Sequence, residues 1–255
     1  TREELSILNV GNNLDQLMNL DPRGYGVCRI LYEGSRAYAG EPVSMHCAKA
    51  LNSMLEPGDI VYIMTGFILR PHRQPETDGI VGAILLARAL VEAYDVKPVI
   101  VCPEENVVAI KNCSPLIGMH LYEDISTLLE MPQSFGVYPF TKKMEEVEEN
   151  IHRLFSYGLP KVLISTEAPG ANKKGEYHNA VGINMTELEA KMDGLFDAVK
   201  NLGIKTFAVG DLGNEIGMGA IGEHIRKYIP YAAEGECQCG CGGGLLARTA
   251  ADYLI

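Results

Sequence analysis

Five carboxylates follow predicted strands in three separate segments of the chain: Glu76, Asp78, Glu167, Asp211 and Glu215. Because the carboxyl ends of parallel strands meet at one edge of a sheet, we expect these side chains to converge. Anions gathered at one edge repel one another unless a cation or a proton neutralises them. Oxygen ligands suit a hard divalent ion, so the pattern predicts a site for Mn²⁺ or Mg²⁺. The predicted metal ligands are Asp78, Glu167, Asp211 and Glu215.

Each of these carboxylates, taken alone, also has a plain structural explanation. Asp78 and Asp211 could cap the helices that follow them, and Glu76 could lie free in solvent. The segment 210–219 contains four glycines in ten residues, which would let the backbone approach a ligand closely. The glycines, together with the convergence of all five carboxylates, favour the metal site.

The same loops carry candidate catalytic groups. His178 and Glu76 could each act as the base that removes a proton from a substrate. Glu167 is a candidate catalytic residue as well as a metal ligand, because it lies two residues after the predicted strand 162–165.

Polar residues and glycines in these loops could also bind the substrate. The cationic ones could hold a substrate carboxylate through charge-assisted hydrogen bonds. The candidate substrate-binding residues are Thr65, Gly66, Arg70, Arg73, Lys174, Tyr177, Asn179 and Asn214.

Short apolar segments alternate with amphipathic ones along the chain, and these are the elements that must position the loops. Residues 60–64, 98–102, 162–165 and 206–209 are predicted strands, because they are apolar or β-branched on both faces.

Apolar residues at helical spacing predict helices over 144–155 and 185–202, the second opening on a capping box at 186–189. Strands and helices in this order predict an α/β fold with a mainly parallel sheet and helices on both faces, a three-layer sandwich.

The chain contains no linker rich in proline and serine and no step in composition, so residues 1–255 are predicted to form a single α/β domain. Residues 1–56 are expected to form a helical flank of this domain. Two helices around a turn at 22–24 and a short strand at 28–31 are predicted within it.

Composition restricts the classes of partner. The chain has 33 acidic and 22 basic residues and a net charge of −11. A surface so negative disfavours binding to nucleic acid or to an anionic membrane. With no visible signal peptide or membrane anchor, and an odd number of cysteines, we expect a cytoplasmic, reduced protein. Whether it forms a homo-oligomer is left open.

Two further motifs are weaker. Residues 217–222 match the glycine spacing of a dinucleotide-binding loop, but they begin too far beyond the preceding strand. Cys237, Cys239 and Cys241 could offer three thiolates to Zn²⁺ or Cu⁺. Since this run lacks the paired spacing of zinc sites and has no obvious fourth ligand, we interpret it as an irregular loop.

Three motifs together resemble the D-glutamate cyclase C-terminal-domain-like family. They are ETDG at 76–79 before an apolar helix, EAPG at 167–170 with the YHN and GINMT segments after it, and the glycine-rich segment 210–219. The likeness extends from about residue 55 to the end of the chain. It implies a metal-dependent α/β domain and, in the characterised branch, conversion of D-glutamate to 5-oxo-D-proline with loss of water.

The chain departs from the family pattern at three places. Leu212 replaces a glycine, and Asn184 stands where the family has an aspartate. The family continues past Ile255 into a strand and an Asn-Trp-Gly segment, so the C-terminus is expected to be incomplete relative to the family.

The leading hypothesis is therefore a metal-dependent, D-glutamate cyclase-like lyase acting on a small acidic metabolite. One alternative is a divalent-metal-dependent phosphohydrolase acting on a phosphorylated metabolite. The other is a non-catalytic protein that binds a metal or a ligand.

Overall fold

The computed structural model describes residues 1–21 and 26–255. Its strands are β1 (Ile60–Met64), β2 (Ile68–Leu69), β3 (Gln74–Pro75), β4 (Lys97–Cys102), β5 (His120–Tyr122), β6 (Ser134–Pro139), β7 (Val162–Thr166), β8 (Lys205–Val209) and β9 (Tyr253–Leu254). Its α-helices are α1 (Arg2–Met18), α2 (Val27–Ala39), α3 (Val43–Met54), α4 (Thr77–Tyr94), α5 (Glu104–Cys113), α6 (Ile125–Glu130), α7 (Val147–Phe155), α8 (Asp193–Asn201) and α9 (Gly222–Tyr228). Short 3₁₀ turns occupy Ser114–Ile117, Met144–Glu146 and Gly219–Ile221.

Among the described residues, seven strands form one parallel sheet in the order β5-β6-β4-β1-β7-β8-β9. β4 and β6 lie on one side of β1. β7 and β8, which come later in the chain, lie on its other side, so the strand order reverses at β1. Ligands bind at such a reversal of strand order in open α/β sheets. The boundary between β1 and β7 is therefore the place where a site is expected.

Alternate residues of the central strands enter different layers of the core. Val61 and Ile63 of β1 pack in one buried apolar cluster, whereas Tyr62 and Met64 pack in the other. Both faces of the sheet are thus covered, which confirms the predicted α/β three-layer arrangement. The four predicted strands agree with β1, β4, β7 and β8 to within one residue at each end.

The N-terminal segment is helical, as predicted, and is joined internally by one buried carboxylate. Asp15 of α1 is fully buried and accepts hydrogen bonds from the main-chain nitrogens of Val43, at 2.8 Å, and Ser44, at 3.0 Å. Val43 and Ser44 are the first residues of α3, so Asp15 of α1 caps the N-terminus of α3. The predicted turn at 22–24 lies outside the described residues.

Two predicted elements differ from the structure. The strand predicted at 28–31 is wrong, because these residues belong to α2. The helix predicted over 185–202 is wrong for its first half, because α8 begins at Asp193.

Hydrogen bonds to distant residues explain the lost half of that helix. The Thr186 hydroxyl accepts a hydrogen bond from the main-chain nitrogen of Tyr177 at 2.9 Å and donates to the Glu176 carboxylate at 2.6 Å, so it is used outside the predicted capping box. Glu189, the other half of that box, accepts a hydrogen bond from the main-chain nitrogen of Ile68. These contacts hold residues 185–192 as an irregular segment between two loops.

No helix within residues 1–21 and 26–255 is both long enough and apolar enough to span a membrane.

Candidate functional site

Three carboxylates meet beyond the ends of β7 and β8. Glu167, Asp211 and Glu215 each present one oxygen, and these oxygens lie within 4.8 Å of one another. Glu167 directly follows β7 and Asp211 lies two residues after β8, and these two strands are paired in parallel. The predicted convergence therefore occurs between adjacent strands.

The chain after β8 turns back to bring Glu215 into this group. Glu215 is buried, and its carboxylate accepts hydrogen bonds from the main-chain nitrogens of Leu212, at 3.0 Å, and Gly213, at 2.7 Å. Such bonds fix the direction of the carboxylate and satisfy part of its charge. The segment 210–219 thus folds around Glu215.

The pKa values of Glu167 and Glu215 are raised. Burial, followed by repulsion from Glu215, Asp211, Asp78 and Glu76, holds the pKa of Glu167 well above its usual range. Burial, followed by repulsion from Asp211, raises the pKa of Glu215 to about 7. A divalent cation would offset both effects, because it supplies charge of the opposite sign to the same oxygens. The donor set therefore fits a hard divalent ion.

Glu76 and Asp78 approach from the start of α4. Glu76 is the N-cap residue of α4, but its side chain makes no capping hydrogen bond, and the Asp78 carboxylate accepts from the main-chain nitrogen of Gly79 at 2.7 Å. Asp211 precedes no α-helix directly, since the next one in the described chain is α9. Asp78 therefore contacts the N-terminus of α4, whereas helix capping does not account for Glu76 or Asp211.

A cavity of about 540 Å³ contains this cluster. Its polar lining includes all five carboxylates together with Arg70, Asn179 and Asn214, and its apolar lining includes Phe67, Met185, Ile229 and Tyr231. A neighbouring cavity of about 330 Å³ shares Cys28, Glu167 and Asp211 with it, and is lined by residues of α1 to α3. The helical flank thus forms one wall of the site.

Thr65 and Gly66 directly follow β1 and lie next to Glu167 and the start of α4. Thr65 is buried, and its hydroxyl makes no hydrogen bond within the described part of the protein. The main-chain nitrogen of Gly66 donates to the carbonyl oxygen of Glu167 at 3.1 Å. A Cβ on Gly79 would lie 2.6 Å from the Thr65 hydroxyl and 2.9 Å from Glu167 Cβ. Only glycine lets α4 come this close.

The structure separates the other predicted substrate-binding residues. Arg70 lines the 540 Å³ cavity, whereas Arg73 lines only a neighbouring depression. Lys174 is exposed on the surface and is not among the cavity residues. Tyr177 is buried, and its hydroxyl donates to the Asp193 carboxylate at 2.7 Å.

Two asparagines connect the cavity to the adjacent loops. The Asn179 side-chain oxygen accepts from the main-chain nitrogens of Val181, at 3.1 Å, and Ile183, at 2.9 Å. Asn214 donates from Nδ2 to the carbonyl oxygen of His178 at 2.8 Å, and its buried Oδ1 makes no hydrogen bond within the described residues. Asn214 therefore has an acceptor atom available to a ligand.

His178 lies in a second cluster. Its imidazole Nε2 is 3.1 Å from Cys239 Sγ and 3.6 Å from Cys241 Sγ, and Cys237 completes the group. These four side chains could hold a metal ion. Sequence reasoning considered the histidine and the cysteines separately, because no local spacing relates residue 178 to residues about 60 positions later.

The sequence is similar to one family model and to one curated human protein. A family model described as "D-glutamate cyclase-like, C-terminal" matches residues 14–255. The human protein named "D-glutamate cyclase, mitochondrial" is 28% identical over 226 residues, which cover 86% of this chain and 33% of that protein. The chain thus spans about a third of the length of this relative.

Proposed function

The chain belongs to the D-glutamate cyclase-like, C-terminal family, and from that premise we propose that it is a metal-dependent lyase converting D-glutamate to 5-oxo-D-proline and water. The activity in the name of the human relative supports this reaction. The observation that carries the proposal is the cluster of Glu167, Asp211 and Glu215 beyond the ends of β7 and β8, next to the reversal point of the sheet.

In this proposal Glu167, Asp211 and Glu215 hold one Mn²⁺ or Mg²⁺ ion, and Asp78 faces them from α4. When bound, the ion supplies Lewis-acid polarisation of the substrate γ-carboxylate and offsets the charge that develops there. The raised pKa values of Glu167 and Glu215 support a cation at this place.

Cavity residues orient the substrate in this scheme. Arg70 binds the α-carboxylate through charge-assisted hydrogen bonds. The Asn214 Oδ1 atom accepts a hydrogen bond from the substrate nitrogen, since it is buried without a partner among the described residues. Phe67 and Met185 contact the methylene groups. Holding the nitrogen close to the carbon of the γ-carboxylate favours closure of the five-membered ring.

Glu76 acts as the base in this proposal, because the His178 ring lies with the cysteines. Glu76 removes a proton from the substrate ammonium, and the nitrogen attacks the carbon of the γ-carboxylate. A C–N bond forms and a C–O bond breaks. Two protons leave the nitrogen in total, and both finish on the departing oxygen, which leaves as water.

The test is incubation of the purified chain with D-glutamate and Mn²⁺ or Mg²⁺, followed by chromatography for 5-oxoproline. L-glutamate is the stereochemical control, and Glu215→Gln is the matched inactive variant. Absence of product from folded protein carrying the ion would overturn the proposal. A panel of phosphate esters distinguishes the phosphohydrolase alternative, because only that reaction releases phosphate.

A further inference from the structure

Four soft or borderline donor atoms face one another at the edge of the cavity wall, outside the carboxylate cluster. Cys237 Sγ lies 3.4 Å from Cys241 Sγ and 3.7 Å from Cys239 Sγ. His178 Nε2 lies 3.1 Å and 3.6 Å from the sulfurs of Cys239 and Cys241. All four atoms fall within 4.8 Å of one another.

These separations match a tetrahedral metal site. Bonds of about 2.3 Å from Zn²⁺ to sulfur and about 2.0 Å to imidazole nitrogen place the sulfurs about 3.8 Å apart and sulfur about 3.5 Å from nitrogen. A disulfide requires sulfurs at about 2.0 Å, much closer than the observed pairs. We propose that His178, Cys237, Cys239 and Cys241 bind one Zn²⁺ ion in a closed, structural Cys₃His site.

The loop that carries the cysteines is shaped to turn its main-chain nitrogens toward the sulfurs. The main-chain nitrogens of Cys241 and Gly243 lie 3.4 Å from the sulfurs of Cys239 and Cys241 and donate to them. Such bonds disperse the negative charge of thiolate ligands. Gly244 has φ +69°, and a Cβ there would lie 2.4 Å from the carbonyl oxygen of Ala232, so the loop requires glycine at this position.

Asn172 holds the two halves of the site together. It is fully buried, and its Nδ2 donates to the carbonyl oxygen of Gly244 at 2.7 Å and lies 3.6 Å from Cys241 Sγ. Its Oδ1 accepts from the main-chain nitrogens of Lys174 and Glu176, in the loop that leads to His178. The four donors are therefore positioned by contacts other than the metal.

The chemistry of the donors separates this site from the carboxylate cluster. Three thiolates and one imidazole select zinc-like ions, whereas carboxylates select Mn²⁺ or Mg²⁺. With four protein donors the proposed site has no open position, as in structural rather than catalytic zinc sites. Its ion would fasten residues 237–241 to the loop containing Asn179, which lines the cavity.

Metal analysis tests the proposal directly. Protein purified without chelators should contain one zinc ion per chain, and Cys239→Ser should lose it. Cys113→Ser is the control, because Cys113 is also a free cysteine but lies in α5. Glu215→Gln should also retain zinc, so failure of the proposed lyase activity would leave this result intact. Zinc content equal in Cys239→Ser and Cys113→Ser would overturn the site.

Spectroscopy on the unmodified protein tests the zinc site even if the Cys239→Ser variant fails to fold. Replacement of zinc by Co²⁺ should produce thiolate charge-transfer bands and the intense visible bands of tetrahedral cobalt. X-ray absorption at the zinc edge should give three sulfurs and one nitrogen. A shell of oxygen and nitrogen alone, or a disulfide among the three cysteines found by mass spectrometry of freshly isolated, alkylated protein, would contradict the proposal.

Discussion

Asn214 donates a hydrogen bond from Nδ2 to the main-chain oxygen of His178 at 2.8 Å. Asn214 lines the carboxylate cavity and directly precedes Glu215, whereas the His178 ring belongs to the cysteine cluster. One hydrogen bond thus joins the two candidate metal sites. The main-chain oxygen of Asn214 also accepts from Gly170, which fixes this residue to the loop after β7.

Asn214→Ala is expected to reduce both stability and activity. It leaves the His178 carbonyl without its donor, which costs about 1–3 kcal/mol in the free energy of unfolding. It also removes the Oδ1 acceptor proposed for the substrate nitrogen. Thermal unfolding and the rate of 5-oxoproline formation measure the two effects. Asn201→Ala, at the exposed end of α8, is the control and should alter neither.

Glu215→Gln is expected to weaken Mn²⁺ binding by at least about tenfold, since even supporting residues of metal sites contribute that much. The amide keeps the shape of the side chain and can still accept a hydrogen bond from Gly213. Calorimetric titration with Mn²⁺ measures the change. Glu145→Gln, on the exposed surface, should bind as the unmodified protein does. Equal affinities for the two variants would remove Glu215 from the ligand set.

Gly79→Ala should be much more damaging than Gly82→Ala in the same helix. The new methyl group at residue 79 would lie 2.6 Å from the Thr65 hydroxyl, whereas at residue 82 the nearest atom, the Thr166 hydroxyl, is 3.7 Å away. Alanine at 82 should stabilise α4 by up to about 1 kcal/mol through its helix propensity. Urea denaturation of both variants gives the comparison, and a Gly79→Ala variant as stable as Gly82→Ala would show that α4 can shift away from Glu167.

Glu189 makes the stability of the protein depend on pH. Burial raises the pKa of its carboxyl from 4.5 to about 8. Between these values the folded chain binds a proton that the unfolded chain has released, so the free energy of unfolding falls as pH rises through this window. Glu189→Gln imitates the protonated form and retains an acceptor for the main-chain nitrogen of Ile68.

We therefore expect Glu189→Gln to be more stable than the unmodified protein at pH 8 and to show a shallower fall in unfolding temperature from pH 5 to pH 8. The two proteins should converge near pH 4.5, where the glutamate becomes protonated in both states. Thermal unfolding across this range measures the difference. Parallel profiles for the two proteins would exclude Glu189 as the titrating group.

The sequence alone determined the sheet and the gathering of the carboxylates. Residues 60–64 and 162–165 carry continuous apolar character that only a strand covered on both faces satisfies, and β1 and β7 lie there. Because parallel strands end at the same edge, the positions of Glu167 and Asp211 after two strands were enough to predict their proximity. The return of Glu215 to this edge also depends on the loop after β7, because the main-chain nitrogen of Gly170 donates to the main-chain oxygen of Asn214.

Only the tertiary structure decided the conformation of residues 185–192 and the contacts of the His178 ring, because local periodicity contains no information on contacts between distant segments. Residues 185–192 have helical spacing, yet hydrogen bonds from Thr186 to Glu176 and from Ile68 to Glu189 remove them from the helix. The same applies to His178, whose ring meets cysteines about 60 residues away. Spacing along the chain records which neighbours a residue has on its own helix or strand. Pairings between distant loops depend on how the whole sheet brings those loops together, and so only the folded chain reveals them.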